Sequence, residues 1–253
     1  MLNKLLLVGF LLFVLITSVA YGQDEMKYYH KIWDVVKANN SASVIFEKID
    51  SIKKTRRAND SNADILYNRD VDFGYTQEKI EIVFNGSPYI VNLLLKQDTV
   101  IFASADLNAY IGGADPGFES DRKIKIDTAG CKQYLKLHND YYFDTKNIHD
   151  LAEEISSENA FGLYCGDGAP KSQEGKHIDT LVIKKDTAAL SQYLKSINCE
   201  QQAYGLYGFA GLKKTGARIS SIDKKLVRHI TKRKSALVEC TGCFVRVIQP
   251  KKK

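Results

Sequence analysis

Cysteine is the residue type whose spacing in this chain speaks most directly of chemistry. There are five, at 131, 165, 199, 240 and 243. Cys240 and Cys243 form a Cys-x-x-Cys inside LVECTGCFVRV, residues 237–247. Such a pair can be a dithiol redox centre, half of a zinc site, or part of a structural disulfide. A thioredoxin-type pair opens a helix whose N-terminus lowers the first thiol's pKa. Here the strand-like FVRVIQP follows, which leaves no room for that helix. A structural zinc site needs four ligands. Cys165, Cys199 and His177 could join the pair, but none brings a second ligand at tight spacing. A structural disulfide remains: Cys240 with Cys243, or one of the two with a distant partner such as Cys199 or Cys165. An odd cysteine count leaves at least one thiol free, metal-bound or paired with another chain.

Other side chains suggest chemistry more weakly. Cys165 with His177 has the composition of a nucleophile and its base, without a recognisable signature around either. His138 and His149 bracket Asp140 and Asp144, a set that reads as polar surface. The DFG of VDFGYT lacks the accompanying kinase loops, and GGADPGFESD (112–121) lacks the Lys-Ser/Thr of a phosphate loop. No nucleophile elbow or HExxH appears, so no catalytic residue, cofactor or metal is assigned. Charge is more informative. Residues 211–253 hold thirteen Lys or Arg against Asp223 and Glu239, within a chain of net charge +6. Lys224, Lys225, Arg228, Lys232 and Arg233 are expected on the solvated side of one helix, as candidates for a polyanion. Nucleic acid is disfavoured as partner, because no binding motif accompanies the charge.

The elements that must position these groups begin after an export signal. Lys4, an apolar run from Leu5 to Ala20 and Ala20-Tyr21-Gly22 form charged, apolar and cleavage regions. Residues 1–22 are therefore expected to be a signal peptide. With no Cys near the cut, the product is an exported protein, periplasmic or extracellular, and not a lipoprotein. No later segment is long and apolar enough for a transmembrane span.

Tyr29, Ile32, Trp33 and Val36 predict a helix over 26–38, and Ser43 is placed to cap a second over 44–53. Residues 55–64 read as a polar loop. EKIEIVF, Asn85-Gly86 and the following strand predict a hairpin pairing Phe84 with Ser87, Ile82 with Tyr89 and Ile80 with Val91. Strands are also expected at 71–76, 99–103 and 122–126. Helices follow at 129–138 and 148–156, then a Gly-rich loop through His177. Three capped helices come next, started by Asp186, Asn198 and Ser220. The second carries Gly205, Gly208 and Gly211, and close packing must offset about 0.8–1 kcal/mol for each.

The fold class is thus α+β: N-terminal helices, an antiparallel meander, and a layer of short helices ending in a strand-like CxxC segment. It is divided at 23–127 and 128–253, or forms one continuous domain. The stretch NCEQQAYGLYGFAGL…ISSIDKKLVRHI…CTGC, within residues 198–243, resembles the tail of uncharacterised exported bacterial proteins. The resemblance implies that helix pair and CxxC belong together, and implies no activity. The expected function is non-catalytic binding or envelope-associated interaction, with an envelope protein or polyanion as partner. The competing expectation is a secreted hydrolase with its site in loops 112–121 and 165–179, using groups such as Asp115, Asp167 and His177.

Overall fold

The computed structural model describes residues 26–54, 62–84, 87–107, 122–233 and 235–249. Outside them lie the expected signal peptide, the Asn85-Gly86 turn and the 112–121 loop with Asp115. The architecture is α+β, with a five-stranded antiparallel sheet and a separate strand pair. Helices α1 (residues 26–38) and α2 (Ala42–Lys54) precede β1 (Asn62–Asp70), β2 (Tyr75–Phe84), β3 (Ser87–Lys96), β4 (Thr99–Leu107) and β5 (Lys123–Ile126). The strands lie in the order of the chain.

Alternation along β2 puts Ile80, Ile82 and Phe84 on one sheet face, beneath Tyr29, Ile32, Val36, Ile45 and Ile49 of α1 and α2. The register pairs Phe84 with Ser87, Ile82 with Tyr89 and Ile80 with Val91, as the hairpin pattern requires. Tyr28 stacks on Phe84, and the Tyr29 hydroxyl donates to the Ala105 carbonyl at 2.7 Å. Each fully buried large apolar side chain contributes about 1.5–3 kcal/mol.

The opposite face is covered by α3 (Thr128–Tyr142) and α4 (Ile148–Ile155). Tyr134, Leu135, Leu151 and Ile155 share a core with Tyr75, Leu94 and Phe102 of the sheet. Ile197 and Cys199 belong to the same cluster, so one core draws on both sides of residue 127. The sheet is therefore sandwiched between helices. Beyond it lie α5 (Gln173–Lys184), α6 (Thr187–Leu194), α7 (Cys199–Lys214) and α8 (Ser221–Arg233), then the hairpin β6 (Leu237–Thr241) and β7 (Phe244–Ile248).

Caps fall where side chains can accept orphan amides. Asn147 forms a capping box with Asp150, and Asp186 and Asn198 accept from the first turns of α6 and α7. The α7 glycines are packing sites. A Cβ on Gly205 would press on the Leu194 backbone and Tyr193, on Gly208 it would strike Leu190, and on Gly211 it would meet Val182.

Four local expectations need correcting. The segment at 71–76 is mostly a turn: Asp72, Phe73 and Gly74 all have positive φ, and β2 begins at Tyr75. The preceding strand is β1, whose first residues fall in the expected polar loop because Asn62 and Asp64 are polar. The Gly-rich loop ends at Ser172, which caps α5, so His177 lies on a helix. The α2 amide of Val44 is capped by Ser41 rather than Ser43, while Asp98 accepts from the Ser43 amide.

Candidate functional site

The sulfur pairing is settled by the strands. Residues 161–165 run beside β6: Phe161 bridges Glu239 and Cys165 bridges Gly242 in parallel. This places Cys165 and Cys240 in a disulfide with Cα atoms 5.5 Å apart, in the ordinary range. Gly162 permits the approach, because a Cβ there would overlap the Cys240 carbonyl. Cys199 and Cys243, both candidates for a bridge, are free thiols, as is Cys131. Cys131 is buried, its sulfur 3.4 Å from the Ile101 carbonyl, and burial pushes its thiol up to about 11. Cys199 begins α7 and lies 3.5 Å from the Arg233 guanidinium.

Two buried ionic nodes join sheet and helices. Arg69 of β1 makes a two-pronged pair with Glu200 of α7, at 2.5 and 3.0 Å, with both side chains 1 % exposed. Glu200 also accepts from the Val238 amide at 2.9 Å, tying in β6. The second node is Asp72, held in its left-handed turn by Arg233, by His229 at 2.8 Å and by the Tyr142 hydroxyl at 2.6 Å. Burial opposes its charge, but Arg233, Tyr142 and His229 prevail and hold the carboxyl below its ordinary range. Arg233, expected on the solvated basic face, is thus a buried structural cation whose side chain is 5 % exposed. It stands seven residues beyond Leu226, two helical turns, and so on the inward face.

The remaining basic candidates separate by direction. Lys225 sits 4.4 Å over the Tyr141 ring, a cation–π contact on the side facing α3. Lys232 is exposed. Lys224 and Arg228 line a groove of about 1000 Å³ between α7, residues 216–220 and α8. Its apolar lining comes from Leu206, Phe209, Ala217, Ile219 and Val227. Lys213 and Arg218 add two further cations, and no Asp or Glu lines it. The groove cations Lys213 and Arg218 were not singled out from the sequence. Their signal was present, since both fall in the basic segment beyond residue 211. None of the four makes an ion pair among the described residues. Asp223, in the first turn of α8, is engaged by Ser191 and Ser220.

By contrast, a cavity of about 450 Å³ beside α4 is lined by Lys146, Glu153 and Glu154, and its lysine is already paired with Glu154. The groups suggested for hydrolysis do not converge among the described residues. His177 is exposed on α5 with its ring 6.4 Å from Tyr193, while Asp167 lies beside Cys243. His138, expected on polar surface, is buried against Tyr142, and His149 pairs with Glu153. Among the described residues no group of three or more His, Cys, Asp or Glu is placed to hold a metal, and no helix is long and apolar enough to cross a membrane. Comparison with protein-family models, curated proteins and solved structures finds no match to this chain.

Proposed function

We propose that this is an exported binding protein whose groove between α7 and α8 takes an anionic amphiphile, a small molecule with a carboxylate or phosphate head and an aliphatic body. The observation that carries the reading is an apolar groove bordered by Lys213, Arg218, Lys224 and Arg228 with no acid in its lining. Apolar walls with a few placed polar groups are the usual make-up of a small-ligand site, and the groove's size is at the top of that class. Unpaired cations at the rim favour one sign of ligand and raise its local concentration. The Gly-mediated packing of α7 and the buried Arg69–Glu200 pair hold one wall rigid. Export is supported by the leader-like first 22 residues and by the Cys165–Cys240 bridge, since disulfides persist in oxidising compartments.

Isothermal titration with decanoate, below its micellar concentration, tests the reading. The expected result is saturable binding whose affinity falls as salt rises. Absence of binding by decanoate and by decyl phosphate alike would remove it.

A further inference from the structure

The Cys165–Cys240 disulfide has a third sulfur beside it. Cys243 is exposed in the β6–β7 turn, where Gly242 takes a left-handed conformation (φ 59°) and Thr241 pairs with Phe244. The turn is fastened to the 161–166 segment: the Gly166 amide donates to the Gly242 carbonyl at 2.8 Å, and the Gly242 amide to the Tyr164 carbonyl at 3.2 Å. As a result the Cys243 thiol lies against the two residues that follow Cys165, 3.8 Å from the Gly166 carbonyl and 3.9 Å from Asp167. Cys165 is half-buried, Cys240 is 5 % exposed, and the neighbouring Tyr164 and Phe244 are exposed, so the sulfurs are approached from the Cys243 side.

We propose that these three cysteines form a thiol–disulfide exchange centre with two bridged forms. The Cys243 thiolate attacks Sγ of Cys165. The Cys165–Cys243 bond forms as the Cys165–Cys240 bond breaks, and Cys240 leaves with the electron pair as a thiolate, which takes up a proton. The exchange is redox-neutral and needs no outside oxidant or reductant. It moves the free thiol from an exposed position to a buried one. In the form described, the chain presents a thiol that can attack a disulfide on another molecule. In the exchanged form that thiol is withdrawn into the space behind β6. The Cys-x-x-Cys therefore acts through a third cysteine, distant in sequence, rather than as a closed pair.

Differential alkylation tests this on the intact full chain. Native protein is equilibrated at about pH 8 and then unfolded, without reductant, in denaturant holding excess iodoacetamide, so that buried and exposed thiols are labelled alike. It is then reduced, relabelled with N-ethylmaleimide and cut with trypsin. Cys240 and Cys243 fall on one peptide, residues 235–246, and fragmentation assigns the first label within it. The expected result is carbamidomethyl on Cys243 together with a share on Cys240 that grows with incubation. That growth quickens as pH rises, because the thiolate is the attacking species. First label on Cys243 alone after full equilibration overturns the proposal. Cys240→Ser gives a second readout after oxidation with cystine. A Cys165–Cys243 bridge supports the exchange geometry, and two free thiols at those positions contradict it.

Discussion

Replacing His138 with phenylalanine should make the protein resist acid better. The imidazole is 1 % exposed and stacks on Tyr142 with ring centroids 4.5 Å apart. Burial, helped by the charge of Lys146 and opposed by Glu154, an Asn139 hydrogen bond and Asp144, pushes its pKa down from 6.5 to about 4. The ring is therefore neutral in the folded protein at pH 5, while the unfolded chain binds a proton there. A group with a depressed folded pKa contributes its full stability above the unfolded value, about 6.5. That contribution is lost as pH falls toward about 4. The displacement amounts to about 3 kcal/mol at most, of which about 2 kcal/mol is lost between pH 7 and pH 5. Phenylalanine keeps the stack and removes the titration. Urea unfolding at both pH values should show the wild type losing about 2 kcal/mol more than His138→Phe. The difference between the two chains cancels the carboxylates they share. Equal losses, or an imidazole titrating near 6.5 by NMR, would refute the reasoning.

Other perturbations report on the links between layers. Arg69→Met strands the Glu200 carboxylate and should cost about 3–5 kcal/mol in urea unfolding, while adding Glu200→Leu should recover most of that. Gly208→Ala gains about 1 kcal/mol of helix propensity but places a methyl inside contact with Leu190, so a net loss in Tm is expected. Cys165→Ser removes a bridge spanning 75 residues, and the chain-entropy relation puts the loss at about 4 kcal/mol. Lowered thermal stability under reductant should reproduce it in the wild type.

The sequence reveals this fold best where neighbours decide the outcome. The 80–91 hairpin follows from a two-residue turn and alternation, and its register was readable pair by pair. The Asn147, Asp186 and Asn198 caps are equally local, being side chains beside their own helix. What could not be read rests on distant partners. Strand β1 opens on the polar Asn62 and Asp64, which read as the end of a loop, and the burial of its Arg69 depends on a carboxylate 131 positions away. Helix α5 hides behind a glycine-rich lead, with Ile178 and Leu181 as its only buried large apolar residues. Arg233 was read as solvated, although its phase with Leu226 and Ile230 on α8 points it inward to Asp72. The disulfide choice among Cys165, Cys199, Cys240 and Cys243 needed the parallel bridge between residues 161–165 and β6, which no local pattern encodes. The groove was half legible. Lys224 and Arg228 stand out in the sequence, but the part played by Lys213 and Arg218, the apolar lining and the turn of Lys225 toward Tyr141 depend on how α7 and α8 are placed.

The central claim is that the α7–α8 groove selects an anionic head above an apolar floor. Its most direct test is competitive titration of decanoate against decyltrimethylammonium, in the wild type and in a Lys224→Glu, Arg228→Glu variant whose substituted side chains are exposed. The account predicts that the wild type prefers decanoate and that the double reversal weakens decanoate at least about tenfold, about 1.4 kcal/mol or more. It also predicts that the variant keeps its Tm and binds the cationic amphiphile better. Equal affinity for both head groups, or decanoate binding untouched by the reversal, would contradict it.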